Sequence, residues 1–445
     1  MRRFYIFAVL VLLGFSSFAW AGELAEQKKW TFMVYLNADN NLDSFGENDL
    51  NEMANPACGS NGWRNVVVLI DRAYGPAELY YITALGQKKK LADCGELDMG
   101  DYRELVGFVR KSVQMYPAEH YCLVIWNHGS GWQKNKGEFL KGISYDDSSN
   151  NHITTAQLGQ AMSQIKATLG KNLDVLCFDA CLMQMLEVAY AVRKSVDYIN
   201  GAEETEPAEG YPYHMILGTW LKKHTRREFC EKIVSSYALS YNVGGFKSTC
   251  HSSIDCSKID KVIEELNSFC EFCLAGAYET EFSKALKKVQ NFAYPTNIDL
   301  LHFIELLRER IPTSAFNEVA NRLQTACLDM VVANGTSGLK CRNAKGIAIY
   351  FPENFYPESE YSGLAFSQAT KWDELIRSFQ KNLLEEKLIK FINEENLEMI
   401  IASISSIEGN AKELKAEMAA SLRFKSLHGQ VKSGDFLDKV IKLLE

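Results

Sequence analysis

The chain has 445 residues, of which 47% are apolar and 23% charged, a balance that excludes a disordered or low-complexity protein and suits folded globular domains. Its formal charge of −8 argues against nucleic acid or an anionic membrane surface as the main partner, while leaving room for a cationic substrate. There are only 9 prolines and 29 glycines, and no collagenous or Pro-rich tract.

In chain order, residues 1–21 come first: Met1-Arg2-Arg3, an apolar run from Phe4 to Leu13, then a small-x-small end at Ala19-Trp20-Ala21. These are the three parts of a secretory signal peptide, with cleavage expected after Ala21. The run is shorter than the ~20 residues a membrane span needs. No later segment is long and apolar enough to cross a bilayer, so the sequence predicts a secreted, periplasmic or cell-surface protein.

Next come short, nearly unbroken apolar runs at Thr31–Leu36, Val66–Ile70, Tyr121–Trp126 and Leu173–Phe178, which read as parallel strands covered on both faces. Helical patterns at Tyr102–Val113 and Thr154–Ile165 separate them, and a helix around Met183–Val192 leads to a further strand at Asp197–Ala202. The alternation predicts an α/β fold, with a mainly parallel sheet between helical layers. Past about residue 245 long helical patterns dominate: Ile259–Leu274, Glu281–Val289, Leu300–Arg310 and Ala315–Met330. One strand, Gly346–Phe351, is closed by Pro352, and the tail from Trp372 is almost entirely helical. The expected organisation is a leader (1–21), a catalytic domain (22–245), a C-terminal subdomain (246–375) that contributes a strand to the sheet or stands apart from it, and a helical tail (376–445).

Twelve cysteines in an exported chain suggest disulfides, yet their spacing is scattered. Cys122 and Cys177 lie inside apolar runs and read as buried hydrophobes. Cys58/Cys94 and Cys250/Cys256 are candidate pairs that sequence cannot assign. Cys270 and Cys273 have half-zinc-site spacing, but no second such pair or nearby His pair accompanies them.

Two strand ends carry the chemistry. One runs into Asn127-His128-Gly129-Ser130-Gly131-Trp132, the other into Asp179-Ala180-Cys181-Leu182-Met183. Ligands of open parallel sheets bind beyond the carboxyl ends of the strands, so neighbouring strands would place His128 and Cys181 on one rim. A thiol needs a basic partner to react near neutral pH. A following helix would favour the thiolate, and the backbone N–H groups of Gly129 and Cys181 would suit an oxyanion hole. A Ser130 nucleophile is disfavoured because the G-x-S-x-G elbow is incomplete.

The two strand-end motifs resemble the clan of caspase-like cysteine peptidases. Together with Thr31–Asp43, Glu203–Tyr211 and Gly346–Pro352, they resemble more narrowly the clostripain family, in the right order over residues 30–360. The resemblance implies a caspase-like fold and an endopeptidase that cleaves after Arg or Lys with a Cys181–His128 dyad. It also implies that Asp179 and Glu209 line the pocket for the residue before the scissile bond. Ala208 and Tyr211 stand where Gly and Trp are expected, which leaves the Arg-versus-Lys preference open. The family implies self-cleavage between the two motifs, where Lys134, Lys136 and Lys141 are the candidates. No cofactor is required and no metal site is assigned. Calcium, which some relatives need, is left open, with Asp39, Asp43, Asp146 and Asp147 as candidate ligands. The alternatives are a peptidase of the same fold with another preference, such as Asn, and a catalytically silent surface-binding relative.

Overall fold

The protein is described here by a computed structural model covering residues 26–132, 142–242, 247–352, 359–405, 411–432 and 434–444. The leader expected at 1–21 and Lys134, Lys136 and Lys141 lie outside the described residues. Among the described residues thirteen strands form in chain order. They are β1 (Lys28–Ala38), β2 (Arg64–Arg72), β3 (Ala77–Ile82), β4 (Lys88–Gly95), β5 (Ala118–Trp126), β6 (Ile143–Asp146), β7 (Asn151–Ile153), β8 (Leu173–Asp179), β9 (Val196–Gly201), β10 (Thr249–Asp255), β11 (Asn297–Asp299), β12 (Val331–Ser337) and β13 (Ala348–Tyr350).

Nine of them make one sheet, ordered β12-β10-β9-β8-β5-β1-β2-β3-β4. The central run β2-β1-β5-β8-β9 is parallel, and antiparallel strands extend it on both sides. Side chains alternate between the faces along each strand. Met33 and Tyr35 therefore join Leu123, Ile125, Leu176 and Phe178 in one core. Phe32, Val34 and Leu36 join Val66, Val68 and Val124 in the other. Helices Tyr102–Met115, Thr155–Leu169 and Leu186–Val192 cover the first face. Helices Asp43–Met53, Tyr213–Gly218 and Arg226–Asn242 cover the second. Thr154 starts its helix with a capping box, its hydroxyl accepting from Gln157 N while the Gln157 side chain accepts from Thr154 N.

The sheet continues past residue 245 through β10 and β12, two strands that the sequence patterns did not announce. The exposed hairpin β3–β4 was also unforeseen; Lys88, Lys89 and Lys90 give its edge strand the charge that discourages pairing with another chain. The strand expected at 346–351 forms as β13, but it pairs with β11 in a separate two-stranded sheet. A bridge from Ala348 to Met185 and a hydrogen bond from Tyr350 N to Glu187 tie it to the chain that follows Cys181.

Helix Trp372–Asn393 serves two cores. Trp372, Leu375, Ile376 and Phe379 join the first-face core. Leu388 and Ile392 instead join helices Leu397–Ser405, Ala411–Leu427 and Asp435–Leu444 in a core of their own.

Candidate active site

The register of two neighbouring strands builds the site. Trp126 on β5 pairs with Asp179 on β8, so His128 and Cys181 each lie two residues beyond a matched position. The chains stay together past the sheet, because Asn127 N donates to the Asp179 carbonyl at 3.3 Å. A Cβ on Gly129 would fall 2.4 Å from the Cys181 carbonyl oxygen, so only glycine permits this approach. Directly after Cys181, Leu182 adopts a left-handed φ of 63°, a strained geometry for a branched side chain. Its N–H donates to the Glu204 carbonyl, which ties the turn to segment 203–211.

His128 and Cys181 line one cavity of about 170 Å³, together with Leu42, Asp179, Glu206 and Ala208. His128 Nε2 lies 2.6 Å from Asn41 Oδ1. An amide oxygen can only accept, so Nε2 carries the proton there and Nδ1 is left as the acceptor. The Cys181 thiol receives the Glu206 backbone N–H at 3.2 Å. Burial, reinforced by the Glu206 carboxylate, pushes the thiol up to about 12, so the resting thiol is protonated. The expected help from a helix dipole is missing. The next helix begins only at Leu186, beyond the one-turn reach of its terminal charge.

The floor is acidic. Asp179 accepts from Tyr211 N at 3.0 Å and from Tyr213 Oη at 2.7 Å. Gly210, with φ of 56°, passes so close that a Cβ would stand 2.7 Å from Asp179 Oδ1. Burial pushes both Asp179 and Glu206 upward. Asp49, which accepts from Trp126 Nε1 at 2.7 Å, is pushed up to about 9 by burial and by the Asp179 charge.

Of the residues singled out from sequence, the fold brings His128, Gly129, Asp179 and Cys181 together. Glu209 does not line the cavity. Its carboxylate is 59% exposed and paired with Lys247, which holds it below the usual carboxylate range. Glu206, three residues earlier, occupies the wall instead. Asp39 lies near enough to Asp146 for its charge to be felt there, while no group of three or more His, Cys, Asp or Glu side chains able to hold a metal occurs among the described residues. Asp43 is engaged by Arg72, Asp39 by Ser148 N, and Asp146 by Met99 N and Ser149 N. All twelve cysteines are unpaired, so neither Cys58/Cys94 nor Cys250/Cys256 is bridged. Sequence reasoning missed Asn41, Glu206 and His251. The Asn37–Asn41 cluster of amides just past β1 was the one available signal for Asn41.

Comparison with known proteins follows the same lines. The sequence model of the clostripain family matches residues 34–379. Clostripain of Hathewaya histolytica is 30% identical over 224 residues, which are 43% of this chain and 42% of that protein. The chain thus spans less than half of that relative's length. A secreted C11 cysteine protease from Bacteroides thetaiotaomicron, solved with an irreversible peptide inhibitor, superposes with a TM-score of 0.62 at 19% identity, covering 78% of this chain and 99% of that one. An inactive zymogen C11 protease from Parabacteroides distasonis gives 0.61 at 20% identity, with the same two coverages. These structures share the fold. The family match covers well over half of the sequence and includes both strand-end motifs, and the chain belongs to the clostripain family.

Proposed function

We propose that the protein is an exported cysteine endopeptidase that cleaves after Arg or Lys, with Cys181 as nucleophile and His128 as proton-transfer partner. The observation that carries this reading is the matched exit of β5 and β8, which sets His128 and Cys181 on the rim of a cavity floored by Asp179. Family membership supports the chemistry.

In this reading Sγ attacks the scissile carbonyl, and its proton passes to His128 Nδ1 as the bond forms. The developing oxyanion faces the N–H groups of Gly129 and Cys181. His128, its Nε2–H held on Asn41, uses Nδ1 to protonate the departing amine. Water then hydrolyses the thioester and frees the thiol. A cationic side chain before the scissile bond reaches toward Asp179, and a guanidinium could be held there bidentately.

Export is supported by the composition of residues 1–21 and by the absence, among the described residues, of any helix long and apolar enough to cross a membrane. Self-cleavage in 133–141 is supported by that segment's lysines; the structurally similar Parabacteroides protein is itself described as a zymogen.

The test uses fluorogenic peptides ending in Arg, Lys, Asn or Asp, offered to the purified protein and to Cys181→Ala and His128→Ala. A denaturing gel of each sample, with and without calcium, follows self-cleavage. Release from Arg and Lys peptides only, reduced at least ~100-fold in both variants, is the expected result. Release from the Asn peptide alone would keep the dyad and discard the basic pocket. No release from a folded sample, with no labelling by a thiol-directed probe, would point to a binding protein.

A further inference from the structure

Below the Cys181 rim two carboxyl groups meet inside the protein. Asp179 is 4% exposed and the Glu206 side chain 3%. Both line the same cavity, close enough for the Asp179 charge to act on Glu206. Asp179 already receives two donors, from Tyr211 and Tyr213. Glu206 has no side-chain donor among the described residues, and only the Ala180 backbone N–H lies close to its carboxyl group. Two ionised carboxylates cannot bond to each other, because neither has a hydrogen to give. A single proton between them supplies the missing donor and removes one of two like charges.

We propose that Asp179 and Glu206 hold one proton between them in the free protein, and that an Arg or Lys side chain of the substrate enters by displacing it. The inference rests on the reading of this cavity as a pocket for a basic residue. It makes Glu206, rather than Glu209, the second specificity carboxylate. The charges balance: the free pair carries one negative charge, the arriving cation brings one positive charge, and the displaced proton leaves to solvent. The pair is then fully ionised against the guanidinium or ammonium. An uncharged side chain leaves the proton in place.

The surroundings favour this exchange. From helix Asp43–Met53, Glu52 adds negative field, while Asp49, raised to about 9 chiefly by burial, keeps its proton. From helix Arg226–Asn242, Tyr237 and Tyr241 face the pair, and burial pushes both far above neutrality. From β10, His251 Nδ1 stands 3.3 Å from Glu206 Oε1, and burial pushes this imidazole down to about 3. It therefore stays neutral and supplies no counter-charge. On β8 and its turn, the Cys177 and Cys181 thiols are likewise raised by burial and remain protonated. Burial raises both acids, Asp179 to about 7 and Glu206 well above its ordinary value. A raised acid keeps its proton at low pH and loses it as pH rises. Affinity for a basic residue should accordingly increase with pH until the pair has lost its last proton.

Calorimetric binding of an Arg-ended peptide amide to the Cys181→Ala protein, in two buffers of different ionisation heat near pH 6.5, counts the protons released. The expected count lies between about one half and one, with an uncharged norleucine peptide releasing none. In the active enzyme, KM for the Arg substrate should fall ~10-fold between pH 5.5 and 7. Glu206→Gln, whose amide donates to Asp179 permanently, should flatten that dependence. Arg binding to the Cys181→Ala protein without proton release would overturn the exchange and leave the Arg/Lys reading standing. This measurement does not depend on the Glu206 variant folding. Equal binding of Arg and norleucine peptides would overturn the basic-pocket reading, and the exchange with it.

Discussion

At the scale of single residues, the contact between His128 and Asn41 assigns work to a side chain outside the dyad. If Asn41 fixes the ring orientation and tautomer, Asn41→Ala should lower kcat by ~10–100-fold, short of the full 10²–10⁴ that acid–base catalysis supplies. KM should hardly move, and the pH profile of kcat should shift as the imidazole loses its acceptor. Steady-state kinetics across pH test this; an unchanged profile with a lower yield of folded protein would mark Asn41 as merely structural. The placement of His128 and Cys181 on one rim was legible in the sequence because each follows an apolar strand that announces where the chain leaves the sheet. Glu206 was not legible. Its partners, Asp179 and His251, come from other strands, and nothing in Thr205-Glu206-Pro207 signals that this acid turns inward while Glu209 turns out.

At the scale of elements, the parallel strands were readable because both of their faces are buried, which leaves consecutive aliphatic residues. β10 was unreadable for the opposite reason. His251, Ser252 and Ser253 are buried polar residues, and their burial depends on partners distant in sequence. Ser252, for instance, receives Gln184 Nε2 and donates to the Gly346 carbonyl. β12 contains Asn334-Gly335, which in isolation reads as a turn. A buried acid also governs how helix Leu186–Val192 meets β13. Glu187 accepts from Tyr350 N at 2.9 Å and Tyr361 Oη at 3.0 Å, and burial pushes it up to about 7. Because its folded value exceeds the unfolded one, the native state binds the extra proton, and this group's contribution to stability is lost as pH rises from about 4.5 to about 7. Melting temperature measured between pH 5 and 8 should decline less steeply in Glu187→Gln than in the parent protein. Parallel slopes would rule out Glu187 as the source.

At the scale of the whole molecule, the two-layered sheet body and the terminal helical bundle bury separate cores. Calorimetry should therefore resolve two unfolding transitions, and a chain ending at Asn393 should lose one while keeping at least half of its peptidase activity. A single shared transition would mean that the cores fold as one. The family match ends at residue 379, within helix Trp372–Asn393. The body and the bundle thus share an unbroken helical shaft with no loop between them. Along an α-helix each residue advances ~1.5 Å and turns ~100°. One residue inserted near Lys381 would leave the residues of both cores unchanged and swing the entire bundle by more than a quarter-turn around the body. Where the bundle faces relative to the cavity mouth is thus set by the count of residues along this one helix, a quantity that insertions and deletions can change without touching the chemistry.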